Sequence, residues 1–523
     1  MTASHFQAAD WIVFFTYLGT LIGMGWYFSR RQTSTAEFFT SSRRMHWLPV
    51  ALSVVASLFS AVSFLGLPAM VFKGDCVMIA WPLAVLLATP MITRLLLPFY
   101  NRLQVTTAYE YLEKRFGLNV RLLASALFIL KRLFWMSLVT LTPSLALSTM
   151  TGLRVEYCIL VIGLVATLYT TMGGLSAVIW TDAVQFVVFM LAQLLIVGYV
   201  VTRLDGGFAE VWHTGVADHK IAIDLSIDFS RQTFWTVLLA CIFIAGSDLG
   251  ADQLIVQRLI STPDIRGAAR SLWFNAVFKF PSMFLLLTIG AAVWAFYRAY
   301  PDRLGLETPG YEMILPHFII KELPVGISGL VIAGIFAAAM SSFDSGLHTM
   351  VTTFTVDWYK RLIRIDSTDL AYLRTARVLT LTLGVAVTIL AVIVYRWGIR
   401  GLIDASNSFL GFFGGGLLGV FLLGVLTRRA KGLPTVLGAV AAVALVSVVE
   451  FYQQHHGLRR LDPWLYGPIT CCMTMVIGYF GSFFGPEPPF ERIAEYTTAR
   501  GRRVPAEGRP PEPRATRHPD GDA

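Results

Sequence analysis

Residues 46–72 read "HWLPVALSVVASLFSAVSFLGLPAMVF". The run is long and apolar enough to cross a bilayer, which takes about 20 residues of helix. Yet Ser57, Ser60 and Ser63 recur at helical spacing, and Gly66 and Pro68 follow. A helix broken at that depth exposes carbonyls and amides, which hydrocarbon cannot satisfy. Such a break persists only where it lines a cavity or the protein interior. A second stretch, "TVLLACIFIAGSDLGADQLIVQR" at 236–258, is interrupted in the same way by Gly246, Ser247, Asp248 and Gly250. The two interrupted spans are the second and the seventh of the chain, five apart. Five is odd, so two five-span units would run through the bilayer in opposite senses. Interrupted helices at matching positions of inverted halves point to a transporter's binding site. Close helix packing through small residues is the alternative for either break.

The whole chain supports a membrane reading. Its 523 residues are 55% hydrophobic and 14% charged, with a mean hydropathy of +0.63; soluble domains carry about 25% charged residues. An all-α polytopic membrane protein is expected. About 13 spans fall near 10–28, 46–72, 78–100, 122–149, 156–172, 180–202, 233–257, 274–299, 324–355, 374–397, 402–426, 432–452 and 464–484. The first is too long for a signal-peptide core and lacks a basic leader. With the N-terminus outside, the inner loops and tail hold 26 Lys and Arg against 12 in the outer loops. The positive-inside rule then places the C-terminus in the cytoplasm of a multi-pass protein of the cell membrane. The net charge of +9 is thereby read as topology, not as a nucleic-acid surface.

The expected organisation is a flanking helix and inner loop over 1–45, a transporter core over 46–427, two flanking helices over 428–485 and a disordered tail over 486–523. The five cysteines have no metal or redox spacing. No G-x-S-x-G, paired-His or nucleotide-binding motif appears, so neither an enzyme nor an ATP-driven pump is expected. A membrane sensor would carry a fused signalling domain, and no loop or tail is long enough for one.

A third stretch, "FAAAMSSFDSGLHTM" at 336–350, places Ser341, Ser342, Asp344 and Ser345 inside a span. A carboxylate there costs several kcal/mol unless it is compensated. Ser341 lies about 17 residues from the expected outer start of its span, near mid-depth at about 1.5 Å per residue.

Three motifs in order, "GGLSAVIWTDAVQFVVFM" (173–190), "ADQLIVQR" (251–258) and "AAAMSSFDSGLHTMVTTFTVDWYKR" (337–361), resemble the sodium/solute symporter family over about residues 10–485. "TTAYEYLEKRFG" (106–117) and "TFWTVLLA" (233–240) are most similar to its monocarboxylate and multivitamin branch. The resemblance implies a LeuT-type five-plus-five inverted repeat with extra flanking helices. It also implies sodium as coupling ion and a small-molecule solute.

Position by position, the resemblance implies a main sodium site made by the carbonyls of Ala56, Phe59 and Ala338 and the hydroxyls of Ser341 and Ser342. Asp182, at the inner start of its span, matches an aspartate that can serve a second sodium site, with Asp344 and Ser345 at the partner positions. Three readings of Asp344 stay open: it faces Asp182 across a cation, one of the two is protonated, or it pairs with a basic residue elsewhere. For the solute the resemblance points to Leu58, Ser60, Ser63, Phe64, Arg132, Asp248, Lys279 and Asn407. Lys279 and Asn407 match a lysine and an amide that contact sugar in a bacterial relative. Leu58, Ala61, Val62 and Ala245 replace polar residues of that sugar site, so a hexose is disfavoured. An arginine near Arg132 holds a carboxylate in the sialic acid branch. Snorkelling or an internal Arg132–Asp248 ion pair is the alternative for these cations. An organic anion such as a monocarboxylate is the leading expectation, and a sugar or sialic acid the next.

Overall fold

The computed structural model describes residues 7–30, 34–304, 311–365, 367–398, 402–457 and 461–498, with the backbone alone at 402–409. The described chain is helical and contains no strand. Its principal helices are α1 (Ala8–Ser29), α2 (Trp47–Leu58), α3 (Ala61–Lys73), α4 (Ala80–Leu95), α5 (Leu118–Thr151), α6 (Val155–Met172), α7 (Leu175–Arg203), α8 (Phe234–Gly250), α9 (Gln253–Ile260), α10 (Ile265–Ala299), α11 (Ile327–Thr353), α12 (Asp369–Arg396), α13 (Leu402–Leu426), α14 (Gly432–His456) and α15 (Tyr466–Gly481). Among the described residues eight helices are long and apolar enough to cross a membrane, and two bent pairs bring the number to 10. The other expected spans fall on α6, α13 and α15.

Both expected interruptions are real breaks. Helices α2 and α3 meet at 55°, and α8 and α9 at 47°. At the first, Phe59 and Ser60 are extended (φ −102°, ψ 130° and φ −125°, ψ 173°). The Ser60 hydroxyl accepts from the Ser63 amide at 3.4 Å and so caps the new helix. At the second, Asp252 Oδ1 accepts from the Leu254 amide at 2.9 Å, while the Ala251 and Asp252 amides both return to Ser247 O at 2.9 Å. Each restarting helix therefore carries its own side-chain cap. The first amides of a helix have no partner within it, and an apolar interior offers no water in their place.

Two boundaries differ from expectation. Helix α7 begins at Leu175, straight after Gly173–Gly174, so Asp182 sits two turns inside it and is fully buried. The tail is ordered past residue 486: Thr497 Oγ1 and the Thr498 amide donate to Val425 O at 2.9 and 2.8 Å, and Tyr111 OH donates to Tyr496 O at 2.7 Å. The last carbonyls of α13 lack helical partners and take the tail as one. Residues 499–523 lie outside the described residues.

Helix α11 runs through the middle, packed against α1, α5 and α7. Lipid removes the hydrophobic drive between spanning helices, so close van der Waals contact must supply the association. Gly334 illustrates this: a Cβ added there would collide with Ala192 Cβ of α7. Gly334→Val is expected to cost about 1–3 kcal/mol through overpacking, read as a lower unfolding temperature in detergent. Gly198→Ala, with open space around it, should leave that temperature unchanged.

Candidate functional site

The first break faces α11. Because Ser60 is extended, its amide does not return to Ala56 O. Ser341 Oγ instead lies 3.1 Å from Ala56 O and 3.2 Å from Ala338 O. Ser342 Oγ lies 3.3 Å from Phe59 O and 3.4 Å from Ser57 O. Each hydroxyl has one proton to share between two carbonyls, and all four contacts are long. Ala56, Phe59, Ala338, Ser341 and Ser342 thus converge as five oxygens with donors too few for their lone pairs. A hard cation such as sodium fits that donor set, as oxygen ligands suit hard cations.

One turn along α11 the arrangement differs from expectation. Asp182 and Ser345 are brought together, with Ser345 Oγ donating to Asp182 Oδ2 at 3.1 Å. The cation beside them is Arg258 of α9. Its Nη2 lies 2.9 Å from Asp182 Oδ2 and also donates to Ser345 Oγ. Its Nε donates to Ser53 Oγ of α2 at 2.7 Å, and its Nη1 to Leu254 O at 2.7 Å. Ser53 passes a further hydrogen bond to Asp182 Oδ2 at 2.6 Å. Both charges are fully buried. Asp344 does not join them. Its Oδ1 contacts Thr170 Oγ1 of α6 at 2.8 Å, and its Oδ2 has no hydrogen-bond partner. Among the described residues no basic side chain pairs with it.

Of the two cations expected near the solute, Arg132 is neutralised, as is its neighbour Lys131. Lys131 Nζ contacts Asp248 Oδ1 at 2.7 Å and Asp252 Oδ2 at 2.9 Å. Arg132 Nη2 lies 2.8 Å from the same Asp252 oxygen, off the angle of a good hydrogen bond. The expected Arg132–Asp248 pair is not formed: Asp248 takes Lys131 and Arg132 takes Asp252. Lys279 is different. It is 2% exposed, its Nζ stands 3.9 Å over the Phe59 ring and 4.7 Å from the Trp81 ring, and it has no carboxylate partner among the described residues. Ser60 is occupied as a cap, Ser63 is buried, and Phe64 packs edge-on against Phe189 at 5.6 Å. Leu58 is half-buried beside the break. The Asn407 side chain lies outside the described residues.

Sequence reasoning misses Arg258, Ser53, Asp252 and Trp81. Arg258 closes the apolar run "LIVQR", where a basic residue reads as a loop charge. The signal that could find it is the one that singles out Asp344: a charge at the end of an interrupted span needs a partner.

Two broken helices crossing a helical membrane bundle, with a cluster of oxygens at one break and a buried cation beside it, define a secondary transporter. The sodium:solute symporter family model matches residues 38–443, and the chain belongs to that family. It is 31% identical over 483 residues to the sodium/sialic acid symporter NanT of Aliivibrio fischeri, covering 92% of this chain and 94% of that one. It is also 31% identical over 433 residues to the sodium-coupled monocarboxylate transporter 2 of Danio rerio, covering 81% and 69%. A solved Na+-coupled sialic acid symporter in a substrate-bound outward-open state superposes with a TM-score of 0.85 at 28% identity, over 92% of this chain and 99% of that one. The protein is a sodium-coupled solute symporter of LeuT-type fold, not an enzyme.

Asp252 holds two buried cations, so Asp252→Asn is expected to destabilise the protein by about 3–5 kcal/mol, the range for breaking a buried pair. Asp248 has a side chain 15% exposed, and Asp248→Asn should cost clearly less. Thermal unfolding of the two variants in detergent checks the order.

Proposed function

We propose that this symporter imports a small organic carboxylate with sodium by alternating access, and that Lys279 receives the carboxylate. The observation that carries the reading is the unpaired state of Lys279. Lys131, Arg132 and Arg258 each have a carboxylate, whereas Lys279 has only two aromatic faces among the described residues. An ammonium held in a bundle interior is costly and marks a substrate or ion pathway. Aromatic faces attract the cation and leave its N–H groups for an anion.

Sodium is assigned to Ala56, Phe59, Ala338, Ser341 and Ser342. Phe59 then belongs to both sites, with its carbonyl beside Ser342 and its ring under Lys279. The extended backbone at residue 59 ties the two together: a sodium that fixes this carbonyl also fixes the ring on which the ammonium rests. With the N-terminus outside, both sites lie near mid-depth of the cell membrane. The ion gradient supplies the work, about 2.3 kcal/mol per charge per 100 mV.

An acidic sugar is the second reading. It is favoured by the 31% identity to a sialic acid symporter. A sialic acid also presents a carboxylate, so it would use the same lysine and differ in the room it needs.

Uptake into proteoliposomes under a sodium gradient separates these readings, with pyruvate, N-acetylneuraminate and glucose as probes. A carboxylate should be carried and glucose should not. Lys279→Gln should raise the solute KM about tenfold or more with sodium half-saturation little changed. Ser341→Ala or Ser342→Ala should raise the sodium concentration for half-maximal uptake severalfold. Uptake of glucose in preference to both acids would sink the carboxylate reading.

A further inference from the structure

At the inner end of the bundle a cavity of about 270 Å³ lies apart from both breaks. With the N-terminus outside, it faces the cytoplasm. Four segments enclose it. The link between α1 and α2 gives Thr35 and Arg43, and the link before α5 gives Thr106. The continuation of α11 gives Thr355 and Lys360, and α12 gives Tyr372.

The lining has donors and lacks acceptors for them. Thr355 is 1% exposed, and its Oγ1 has no hydrogen-bond partner. Arg43 spends one of its five N–H groups, with Nη2 donating to Val105 O at 2.8 Å. Lys360 Nζ stands 5.4 Å from the Tyr372 ring. Neither cation has a carboxylate partner among the described residues. The acidic groups beside the cavity are already engaged. Glu110, which acts on Arg43 through space, accepts from the Thr106 and Thr107 amides, both at 3.0 Å. Asp369 Oδ2 accepts from the Thr35 amide at 3.3 Å.

We propose that this cavity binds a small soluble anion that bears a phosphate group, at a place separate from the sodium and solute sites. A guanidinium and an ammonium are both established phosphate donors, and the free hydroxyl of Thr355 adds a third. The donors stand on separate segments around the cavity. They can therefore approach from several sides, which suits a tetrahedral oxyanion better than a planar carboxylate. The walls are links between spans and the inner ends of helices, and Lys360 is exposed. Water reaches the mouth, so the ligand is a soluble one.

The backbone on two walls is unusual. Ser41, Ser42 and Arg43 have φ of 48°, 48° and 56°, and a left-handed conformation costs a non-glycine residue about 1–3 kcal/mol. This run turns the chain out of the short helix Thr35–Thr40 and carries Arg43 to the cavity. The continuation of α11, Phe354–Ile363, has the wide turn of a π-helix, a form frequent at functional sites.

The same short helix is tied to the helices of the transport site. His348 Nε2 of α11 lies 3.1 Å from Phe38 O, and Gln257 Nε2 of α9 donates to Phe39 O at 2.7 Å. Gln257 Nε2 also reaches Thr352 Oγ1 of α11 at 3.0 Å. An anion held by Arg43 on one side and by Thr355 and Lys360 on the other clamps the link between α1 and α2 to the inner end of α11, and α9 with it. A ligand that binds the joined arrangement favours it over one in which these ends part.

The test is calorimetric titration of the purified full-length protein in detergent and chloride buffer, with inorganic phosphate and glycerol 3-phosphate as probes. Both should bind saturably. Arg43→Gln should weaken binding at least about tenfold, the scale of a lost charge-assisted hydrogen bond, and Lys360→Gln should also weaken it. Arg44→Gln, at an exposed neighbour that does not line the cavity, should leave it unchanged. Phosphate should also slow amide hydrogen exchange over 34–43 and 354–363. No saturable binding, or binding that Arg43→Gln and Lys360→Gln both leave intact, would overturn the proposal. So would a phospholipid that co-purifies with the chain, seen by native mass spectrometry, and is lost in Arg43→Gln, since the cavity would then hold a lipid headgroup. Lys360 is exposed, so Lys360→Gln decides the question should Arg43→Gln not fold.

Discussion

Everything in this molecule follows from two places where a helix stops inside a bilayer. A backbone amide or carbonyl in hydrocarbon must find a partner within the protein. At Phe59–Ser60 and Ala251–Asp252 the helical partners are lost, and the neighbouring residues answer for them. Ser60 and Asp252 cap the restarting helices. The serines of α11 come up against the carbonyls left behind at Ala56 and Phe59. The partners are hydroxyls with one proton each, so the carbonyls are approached without being saturated. Incomplete satisfaction is what distinguishes a site for a cation from an ordinary repaired break.

The second constraint is charge. Asp252 shows how economically it is met: one oxygen caps α9 while the other faces Lys131 and Arg132. Asp182 meets it through Arg258 and three hydroxyls. In both clusters the compensating cation reaches across from a different helix, so each pair also fixes how the helices sit against each other. Buried pairs of this kind are weak sources of net stability, because desolvation offsets most of their attraction. Their effect lies in what happens when one member is absent: the remaining charge is stranded. The bundle is thereby held to arrangements in which α5 stays near the second break and α7 near α9.

The breaks are legible in the sequence because Gly, Ser and Pro together inside an apolar run weaken a helix at a depth where water cannot repair it, and their spacing shows the inverted relation. The convergence of Ser341 and Ser342 on the first break follows from the family resemblance, and the geometry agrees with it. The partners of the buried charges are not legible. Asp182 and Arg258 are 76 residues apart in the chain, and Lys131 and Asp252 are 121 apart; a period or a motif cannot say which helices meet. Arg258 is further obscured by its place at the end of a hydrophobic run, where a basic residue normally marks the membrane edge. Asp344 is ambiguous for the opposite reason. Its partner, Thr170, is a single hydroxyl in an apolar helix, and threonine there is usually spent on the preceding turn, as Thr170 also is through Ala166 O at 2.7 Å.

Coupling between ion and solute needs a physical connection, and residue 59 is the shortest one available. In a continuous helix a carbonyl points along the axis to the amide four residues on, and its own side chain is free to move independently of any ligand. In the extended conformation of Phe59 the carbonyl is released from that bond, and the same residue's ring packs between Lys279 and Phe189, whose ring centroid is 5.4 Å away. Whatever fixes the carbonyl restricts the backbone torsions that position the ring. An effect passed in this way is reciprocal: a solute that immobilises Lys279 on the ring restricts the same torsions from the other side, and thermodynamic linkage requires each ligand to favour the other equally. A break in the helix is therefore the source of the proposed ion ligands and also the means by which their occupation reaches the solute.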